Sequence, residues 1–195
     1  MWVVKLGGSL VEASDHLSLS EWLRVSAEHG GGRVILVPGG GPFANQVRRL
    51  QQRWQFSDSA AHRMALLAMQ QMALLFLDLE PRLESCRTAE IPSALARRKV
   101  ALWRPEVAEL DQDNVAASWT ITSDSLAAWL ARKIAARRLI LVKSKVPPSQ
   151  DPQHLRDAGI VDACFCDFLP ASIEFNCYYK NLFDRFAQEL CTFMR

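Results

Sequence analysis

The stretches WVVKLGGS, residues 2–9, and RVILVPGGGP, residues 33–42, decide the fold of this chain. Each begins with a short apolar run rich in β-branched residues and ends in a cluster of glycines. Continuous apolar runs of this length are typical of strands that are buried on both faces of a parallel sheet. The two stretches therefore predict strands that end in glycine-rich loops at one edge of such a sheet.

The rest of the chain continues this alternation of strands and helices. Residues 82–98 stay unassigned, and the six tryptophans are expected in the core. Strands separated by helices predict an α/β fold whose mostly parallel sheet is covered on both faces. Apolar spacing predicts helices at 20–29, 43–54, 59–79, 124–136 and 181–193, and strands at 2–6, 33–37, 100–103, 139–142, 161–165 and 173–175.

The composition is that of an ordinary globular chain of 195 residues with a formal net charge of +2. A net charge this small gives no general attraction to nucleic acid or to a membrane surface. The five cysteines form no CxxC pair, which argues against a disulfide framework or a zinc site. We find no signal peptide and no apolar run of about 18 residues. We therefore expect a cytoplasmic protein with no metal ligands, no nucleic-acid partner and no membrane contact.

The first glycine loop follows a lysine. Lys5 stands at the end of the first predicted strand, and Gly7, Gly8 and Ser9 come directly after it. Glycines let backbone N–H groups approach a phosphate closely, and a lysine supplies a point charge. The spacing matches neither GxxxxGK[ST] nor GxGxxG. Taken alone, these residues are explained equally well by a β-turn beside a solvated lysine.

Two further segments precede predicted helices. Gly39, Gly40 and Gly41 cost chain entropy on folding, and a simple turn rarely needs three glycines. A phosphate or oxyanion cradle at a helix N-terminus does need them, and a loose, permissive loop is the alternative explanation. Residues 120–125, TITSDS, contain Asp124. Thr, Ser and Asp are ordinary N-cap residues, so capping alone explains this third segment when it is considered by itself.

Together, VVKLGGSL, VPGGGPFA and ITSDSLAAWLA resemble the amino acid kinase superfamily in order and spacing over residues 1–145. The resemblance implies a three-layer αβα sandwich, ATP with Mg²⁺, and a homodimer or higher homo-oligomer. It also implies that Lys5 and both glycine loops hold the transferred phosphoryl group, and that Asp124 orients lysines around it. The pattern looks most like a small subgroup whose archaeal members are aminomethylfuranyl-methyl phosphate kinases.

The nucleotide side departs from the family pattern. The usual T-D-x-D-G is replaced by LVKSKVPP, residues 141–148. We expect Lys143, Ser144 and Lys145 to contact the nucleotide, with one of the two lysines replacing a phosphate-binding lysine of the family. We expect a single domain over residues 1–195, with a reduced C-terminal nucleotide-binding part.

The acceptor is expected to contact Asn45, His62 and Arg63. Asn45 stands where the related isopentenyl phosphate kinases carry a histidine, and His62 and Arg63 lie at the start of the long apolar helix. A solvated or capping pair explains His62 and Arg63 equally well. Because a phosphate acceptor needs no general base, we expect a small phosphorylated metabolite that is converted to its diphosphate in the synthesis of a methanofuran-type one-carbon cofactor.

Two other functions stay open. One is a catalytically silent regulator that binds a nucleotide or small ligand, which the lost T-D-x-D-G motif favours. The other is a kinase of an alcohol or a carboxylate, in which Asp124 acts as the base. Release of ADP from ATP, measured with Mg²⁺ and a panel of phosphate monoesters as acceptors, discriminates among these functions.

Overall fold

The computed structural model describes residues 1–12 and 17–192 and has a six-stranded, wholly parallel sheet at its centre. The strands are β1 (Trp2–Leu6), β2 (Val34–Pro38), β3 (Leu83–Cys86), β4 (Val100–Trp103), β5 (Arg138–Lys143) and β6 (Glu174–Tyr179). Their order in the sheet is β3-β4-β2-β1-β5-β6. The chain leaves β1 for β2 on one side and later returns to pair β5 on the other, so the strand order reverses at β1. Ligands of open parallel sheets bind at such a reversal, beyond the carboxyl ends of the strands.

Helices cover both faces of the sheet, and the expected αβα architecture is confirmed. They are α1 (Ser9–Glu12), α2 (Leu17–His29), α3 (Gly41–Trp54), α4 (Asp58–Leu79), α5 (Ile91–Ala96), α6 (Val107–Gln112), α7 (Ser123–Lys133), α8 (Pro152–Asp157), α9 (Phe165–Phe168) and α10 (Phe183–Thr192), with a 3₁₀ turn at Thr88–Glu90.

The core is divided into two apolar clusters because side chains alternate across a strand. Val3 of β1 belongs to one cluster, which it shares with Trp129 of α7, whereas Trp2 and Val4 belong to the other. The second cluster holds Trp22 of α2 against α10. This alternation places Lys5 on the same face of the sheet as Val3, beneath α7.

The long helix α4 is apolar over most of its length, and its buried face contributes to both core clusters. Leu66 and Met69 contribute to one cluster, and Phe76 to the other. Helix α4 is long enough and apolar enough to cross a membrane, but 44% of its most apolar 18-residue stretch is buried inside the protein. We therefore interpret its hydrophobicity as that of a core helix.

The structure corrects several sequence-based assignments. Residues 82–98, which the sequence left unassigned, contain β3 and α5. The strand predicted at 161–165 is instead a turn that leads into α9. Trp54 is 69% exposed and Trp119 is only half-buried, so these two tryptophans lie outside the core. The predicted strand at 173–175 extends to Tyr179. The last helix ends at Thr192 in the described part of the chain, and its expected end at residue 193 lies outside that part.

Candidate active site

The two glycine loops pack directly against each other at the carboxyl ends of β1 and β2. A Cβ atom on Gly8 would lie 2.2 Å from the Gly41 nitrogen, and one on Gly39 would lie 2.4 Å from the Gly8 nitrogen. Gly41 also has a φ of +54°, in the left-handed region. Backbone therefore meets backbone at this point, which gives the glycines a packing role that sequence analysis did not foresee.

The glycine loops also present the start of α3 to the space above the sheet. The Gly7 and Gly39 N–H groups donate to the carbonyls of Val142 and Leu6, which ties both loops to the strands. Helix α3 begins at Gly41 with no side-chain cap. Because the first N–H groups of a helix have no partner within the helix, this end of α3 can accept an anion.

A buried carboxylate joins two lysines beside these loops. Asp124, near the start of α7, forms an ion pair with Lys5 (Nζ–Oδ1 2.8 Å) and a hydrogen-bonded ion pair with Lys143 (Nζ–Oδ2 2.6 Å). The side chains of Lys5 and Asp124 are each 6% exposed. The register explains this meeting, since Lys5 pairs with Leu141, and Lys143 lies two residues beyond Leu141 on the same face of β5.

The electrostatics of this triad keep the carboxylate ionised. Burial acts to raise the pKa of Asp124, but the charges of Lys143 and Lys5 outweigh it and hold that pKa at about 2. Burial lowers the pKa of Lys5 from its ordinary value, against the opposing effect of Asp124. Two cations with one counter-ion leave a net positive charge, and this suits the binding of a phosphoryl group.

The start of α7 is capped from a distant segment. Thr122 and Ser123 provide no side-chain cap; instead, Asp162 accepts hydrogen bonds from the backbone N–H groups of Thr122 (2.8 Å) and Ser125 (3.0 Å) and from both of their hydroxyl groups. Asp124 is thereby left free of the capping role that the local sequence allowed. Sequence analysis missed Asp162, because no local pattern links residues about 40 positions apart.

The loop after β5 reaches the first glycine loop through Ser144, whose hydroxyl donates to that of Ser9 (2.9 Å). Lys145 is exposed, two residues beyond Lys143. Of the two lysines considered for the nucleotide side, the structure thus brings Lys143 into the charged cluster and leaves Lys145 at the surface.

A cavity of about 240 Å³ adjoins the glycine loops. Its lining is part apolar, with Leu66, Met69, Ile121 and Leu126, and its polar residues include Glu12, Asn45, Arg48 and His62. Asn45, expected at the acceptor site, lines this cavity and donates from Nδ2 to the Glu12 carboxylate (3.0 Å). The remaining lining residues are Gly8, Ser9, Gly40, Gly41, Ala44, Ala65, Trp119, Thr122 and Ser123.

Arg48 is the cationic residue of this cavity that sequence analysis missed. Its guanidinium carbon lies 4.4 Å from the centre of the Trp119 ring, and the Trp119 Nε1–H donates to Gln51 (2.6 Å). Burial lowers the pKa of Arg48. No carboxylate of the described residues forms an ion pair with it, so this stacked guanidinium is available to an anion. The signal in the sequence was the spacing of Asn45 and Arg48, three residues apart on one helix face.

His62 and Arg63 separate, although the sequence suggested them as a pair. His62 lines the cavity and is 8% exposed. Arg63 is exposed on the outside of α4, where it contacts Asp111 (3.4 Å). Successive helical residues point about 100° apart, and here His62 faces the cavity whereas Arg63 faces away from it. The structure therefore does not place Arg63 at the expected acceptor site, and Arg48 occupies that side instead.

A family model described as the amino acid kinase family matches residues 1–146. The chain belongs to the amino acid kinase family. The expectation from the three loops is confirmed, and members of this family are generally ATP-dependent phosphotransferases.

Among curated relatives, the chain is similar to [5-(aminomethyl)furan-3-yl]methyl phosphate kinase of Methanocaldococcus jannaschii, at 28% identity over 141 residues. The match covers 72% of this chain and 64% of that relative's length.

Solved structures of the family share the fold at low sequence identity. The uridylate kinase of Archaeoglobus fulgidus matches with a TM-score of 0.70 and 16% identity over 98% of this chain and 96% of its own. The UMP kinase of Bacillus anthracis matches with a TM-score of 0.71 and 12% identity over 98% and 91% of the two chains. The aspartate kinase of Synechocystis matches with a TM-score of 0.67 and 14% identity over 92% of this chain and 37% of its own.

The residues at the strand ends fit the phosphates of ATP. Glycines that admit no Cβ, an uncapped helix start and two lysines provide close N–H groups and positive charge. Of the carboxylates near these loops, Asp124 and Asp162 are already engaged by lysines and by the start of α7, and Glu12 accepts a hydrogen bond from Asn45. Mg²⁺ would therefore be held chiefly by phosphate oxygens and water. Among the described residues, no group of three or more His, Cys, Asp or Glu side chains forms a candidate metal site.

Proposed function

We propose that this chain is an ATP-dependent kinase that converts a small phosphate monoester to its diphosphate in the cytoplasm, in the synthesis of a methanofuran-type cofactor. The observation that carries the proposal is the buried bridge of Asp124 between Lys5 and Lys143, beside the two glycine loops. A carboxylate shared by two lysines fixes both ammonium groups in one geometry before a substrate binds. Such preorganised charge is the main source of catalysis in phosphoryl transfer.

In the proposed reaction, an oxygen of the acceptor phosphate forms a bond to the γ-phosphorus of ATP. The bond from that phosphorus to the β,γ-bridging oxygen breaks, and its electron pair leaves with ADP. Lys5 and Lys143 neutralise the charge on the transferred group and on the leaving oxygens. The two glycine loops hold the phosphoryl group in line with the acceptor. Gly8, Ser9, Gly40 and Gly41 line the cavity, and Gly7 and Gly39 anchor the loops to the strands. Mg²⁺, when bound with ATP, would supply further charge neutralisation.

The acceptor would lie in the 240 Å³ cavity that adjoins the glycine loops. We assign Arg48 as the ligand of its phosphate, together with the amide of Asn45. Long helical side chains lean toward the N-terminus of their helix, so Arg48 reaches back along α3 toward the glycine loop. The curated relative in Methanocaldococcus jannaschii is named as a phosphate kinase, which supports an acceptor of this class.

The proposal is tested by measuring ADP release with Mg-ATP and a panel of phosphate monoesters, each compared with its parent alcohol. We expect [5-(aminomethyl)furan-3-yl]methyl phosphate to react and the alcohol to remain unphosphorylated. The product is identified as a diphosphate by phosphorus NMR. If ATP binds but no acceptor reacts, the chain is a silent regulator of the same fold.

A second candidate function, an alcohol kinase, is favoured by His62. Its Nε2 has no hydrogen-bond partner among the described residues and lies at the cavity. A neutral imidazole in that position has the chemistry of a general base for a hydroxyl group. Faster reaction of the free alcohol than of its phosphate would establish this function in place of the first.

We also propose that the enzyme forms a homodimer through the outer face of α4. Leu67 and Leu74 lie seven residues apart on that helix and are 52% and 67% exposed. Side chains seven apart share a helix face, so the two leucines form an apolar stripe. Analytical ultracentrifugation of the wild type and of Leu74→Glu tests this, and an unchanged sedimentation coefficient would contradict it.

A further inference from the structure

The acceptor cavity contains a carboxylate that phosphate binding does not explain. Glu12 is the acidic residue among the described residues that line it. Its Oε1 accepts one hydrogen bond from Asn45, and none of the described lysines or arginines forms an ion pair with it. The Glu12 side chain is exposed, so water screens part of its charge, but a carboxylate beside a phosphate acceptor still repels the phosphate and attracts a cationic group of the ligand.

His62 adds a second hydrogen-bond acceptor to the same cavity. The side chain is 8% exposed, and its Nε2 is buried without a partner among the described residues. Burial lowers the pKa of His62, against the opposing effects of a hydrogen bond to the Ser118 backbone and of Asp111. Because the Ser118 bond uses the other ring nitrogen as donor, Nε2 of the neutral ring presents a lone pair.

The unpartnered nitrogen indicates what a ligand must bring. A buried acceptor without a donor costs free energy, and that cost is recovered when a bound molecule supplies an N–H or O–H group. Glu12 and His62 Nε2 are both acceptors, and one of them carries a negative charge. A primary ammonium group satisfies both requirements, since it has three N–H donors and a positive charge.

We propose that the acceptor carries a primary ammonium group, with Glu12 as its counter-ion and His62 Nε2 as a hydrogen-bond acceptor for it. The acceptor is then a small zwitterion whose phosphate faces Arg48 and the glycine loops. This inference rests on the proposed function and names two specificity-determining residues for it. The curated relative is named for a substrate with an aminomethyl group, which is a primary amine.

The experiment compares two acceptors that differ only in the amine, [5-(aminomethyl)furan-3-yl]methyl phosphate and furan-3-ylmethyl phosphate. We expect kcat/KM of the wild type to favour the amine by at least about tenfold, since sites built around a polar group reject analogues that lack it. Glu12→Gln retains the hydrogen bond to Asn45 but removes the charge. It should remove most of this preference, because the KM of the amine rises and the KM of the amine-free phosphate falls once the carboxylate charge no longer repels the phosphate group.

Two controls make the comparison specific. Glu21→Gln, a surface change on α2, should leave the preference intact. His62→Leu should lower the preference for the amine, as Glu12→Gln does. His62→Gln restores a hydrogen-bond acceptor and should recover part of that preference. Thermal unfolding reports whether each variant folds. A wild type that uses both phosphates equally would overturn the inference while leaving the proposed function standing.

The test does not depend on turnover. Isothermal titration of the two phosphates, with a non-hydrolysable ATP analogue present, gives the preference as a ratio of dissociation constants. If neither phosphate is turned over, the proposed function fails, but tighter binding of the amine that is lost in Glu12→Gln still supports the ammonium site. If His62→Leu instead abolishes kcat for both acceptors equally, His62 is a general base and its part in the inference is overturned.

Discussion

The charged cluster at the strand ends and the acceptor cavity beside it are built in opposite ways. In the charged cluster, Lys5 and Asp124 are buried, the Lys143 side chain is 12% exposed, and the Asp124 carboxylate forms ion pairs with both lysines. In the acceptor cavity, His62 has an unpartnered nitrogen, and Arg48 is paired with no described carboxylate. A site whose groups are satisfied in advance is rigid, which suits a reaction common to a whole family. A site whose groups still lack partners is completed by its ligand, which suits substrate choice.

This contrast predicts that changes in the charged cluster affect the rate, and the largest loss is expected for Lys5→Ala. It removes charge from the transferred phosphoryl group, and such losses cost on the order of 10²–10³ in kcat. Asp124 keeps Lys143 as a partner, so the fold should survive. Steady-state ADP release and a thermal melt measure the two effects. Near-normal turnover in a folded variant would contradict a catalytic role of Lys5.

Asp124→Asn should lower kcat by about 10², because it frees both lysines from their fixed positions. It should also destabilise the protein by about 3 kcal/mol, because two buried cations lose their counter-ion. Asp162→Asn is the matched control, since it weakens the cap of α7 without touching the lysine bridge. Chemical unfolding and kinetics of both variants separate capping from lysine positioning. If kcat fell equally in the two variants, Asp124 would have only a structural role at the start of α7.

The two lysines after β5 should differ sharply. Lys143→Ala is expected to lower kcat/KM for ATP by about tenfold to 100-fold, because a charge-assisted contact to phosphate is lost. Lys145→Ala should change it little, because Lys145 is exposed and outside the cluster. Kinetics at varied ATP concentration provide the measurement. The reverse order of effects would mean that the loop rearranges around the nucleotide.

In the acceptor cavity, changes should appear in KM. Arg48→Ala is expected to raise the acceptor KM about tenfold, because a charge-assisted hydrogen bond to its phosphate is lost, while kcat changes less. Arg63→Ala lies one helix away on the outer surface and should leave this KM close to that of the wild type. A larger effect at Arg63 than at Arg48 would support the original assignment from sequence.

The last prediction concerns the stability of the protein at acid pH. The pKa of Asp124 is lowered to about 2, so its stabilising contribution is present above its ordinary value near pH 3.8 and is lost as the pH falls toward 2. The loss should be on the order of 2 kcal/mol. Unfolding free energies measured between pH 5 and pH 2 should fall less steeply for Asp124→Asn than for the wild type. Parallel curves would show that the lysine bridge does not stabilise the folded state.

Much of the fold and part of the site were encoded in short stretches of sequence. The apolar runs of β1 and β2, the glycines that follow them and the helical spacing of α7 could each be recognised from neighbouring residues. Strand β3 was missed, because its sequence LESC has neither an apolar run nor a clear alternation. The strand predicted at 161–165 was wrong, because alternation over five residues also occurs in a turn that leads into a short helix.

The sequence by itself determined that the chain has a parallel α/β sheet with Lys5 and two glycine loops at one edge, because these features depend on consecutive residues. Only the tertiary structure decided that Lys143 rather than Lys145 joins Asp124, that Asp162 caps α7, and that Arg48 rather than Arg63 faces the cavity. Those outcomes depend on strand register, on loop closure and on the rotation of one helix against another. Such geometry is set by the packing of the entire chain, so no local pattern records it.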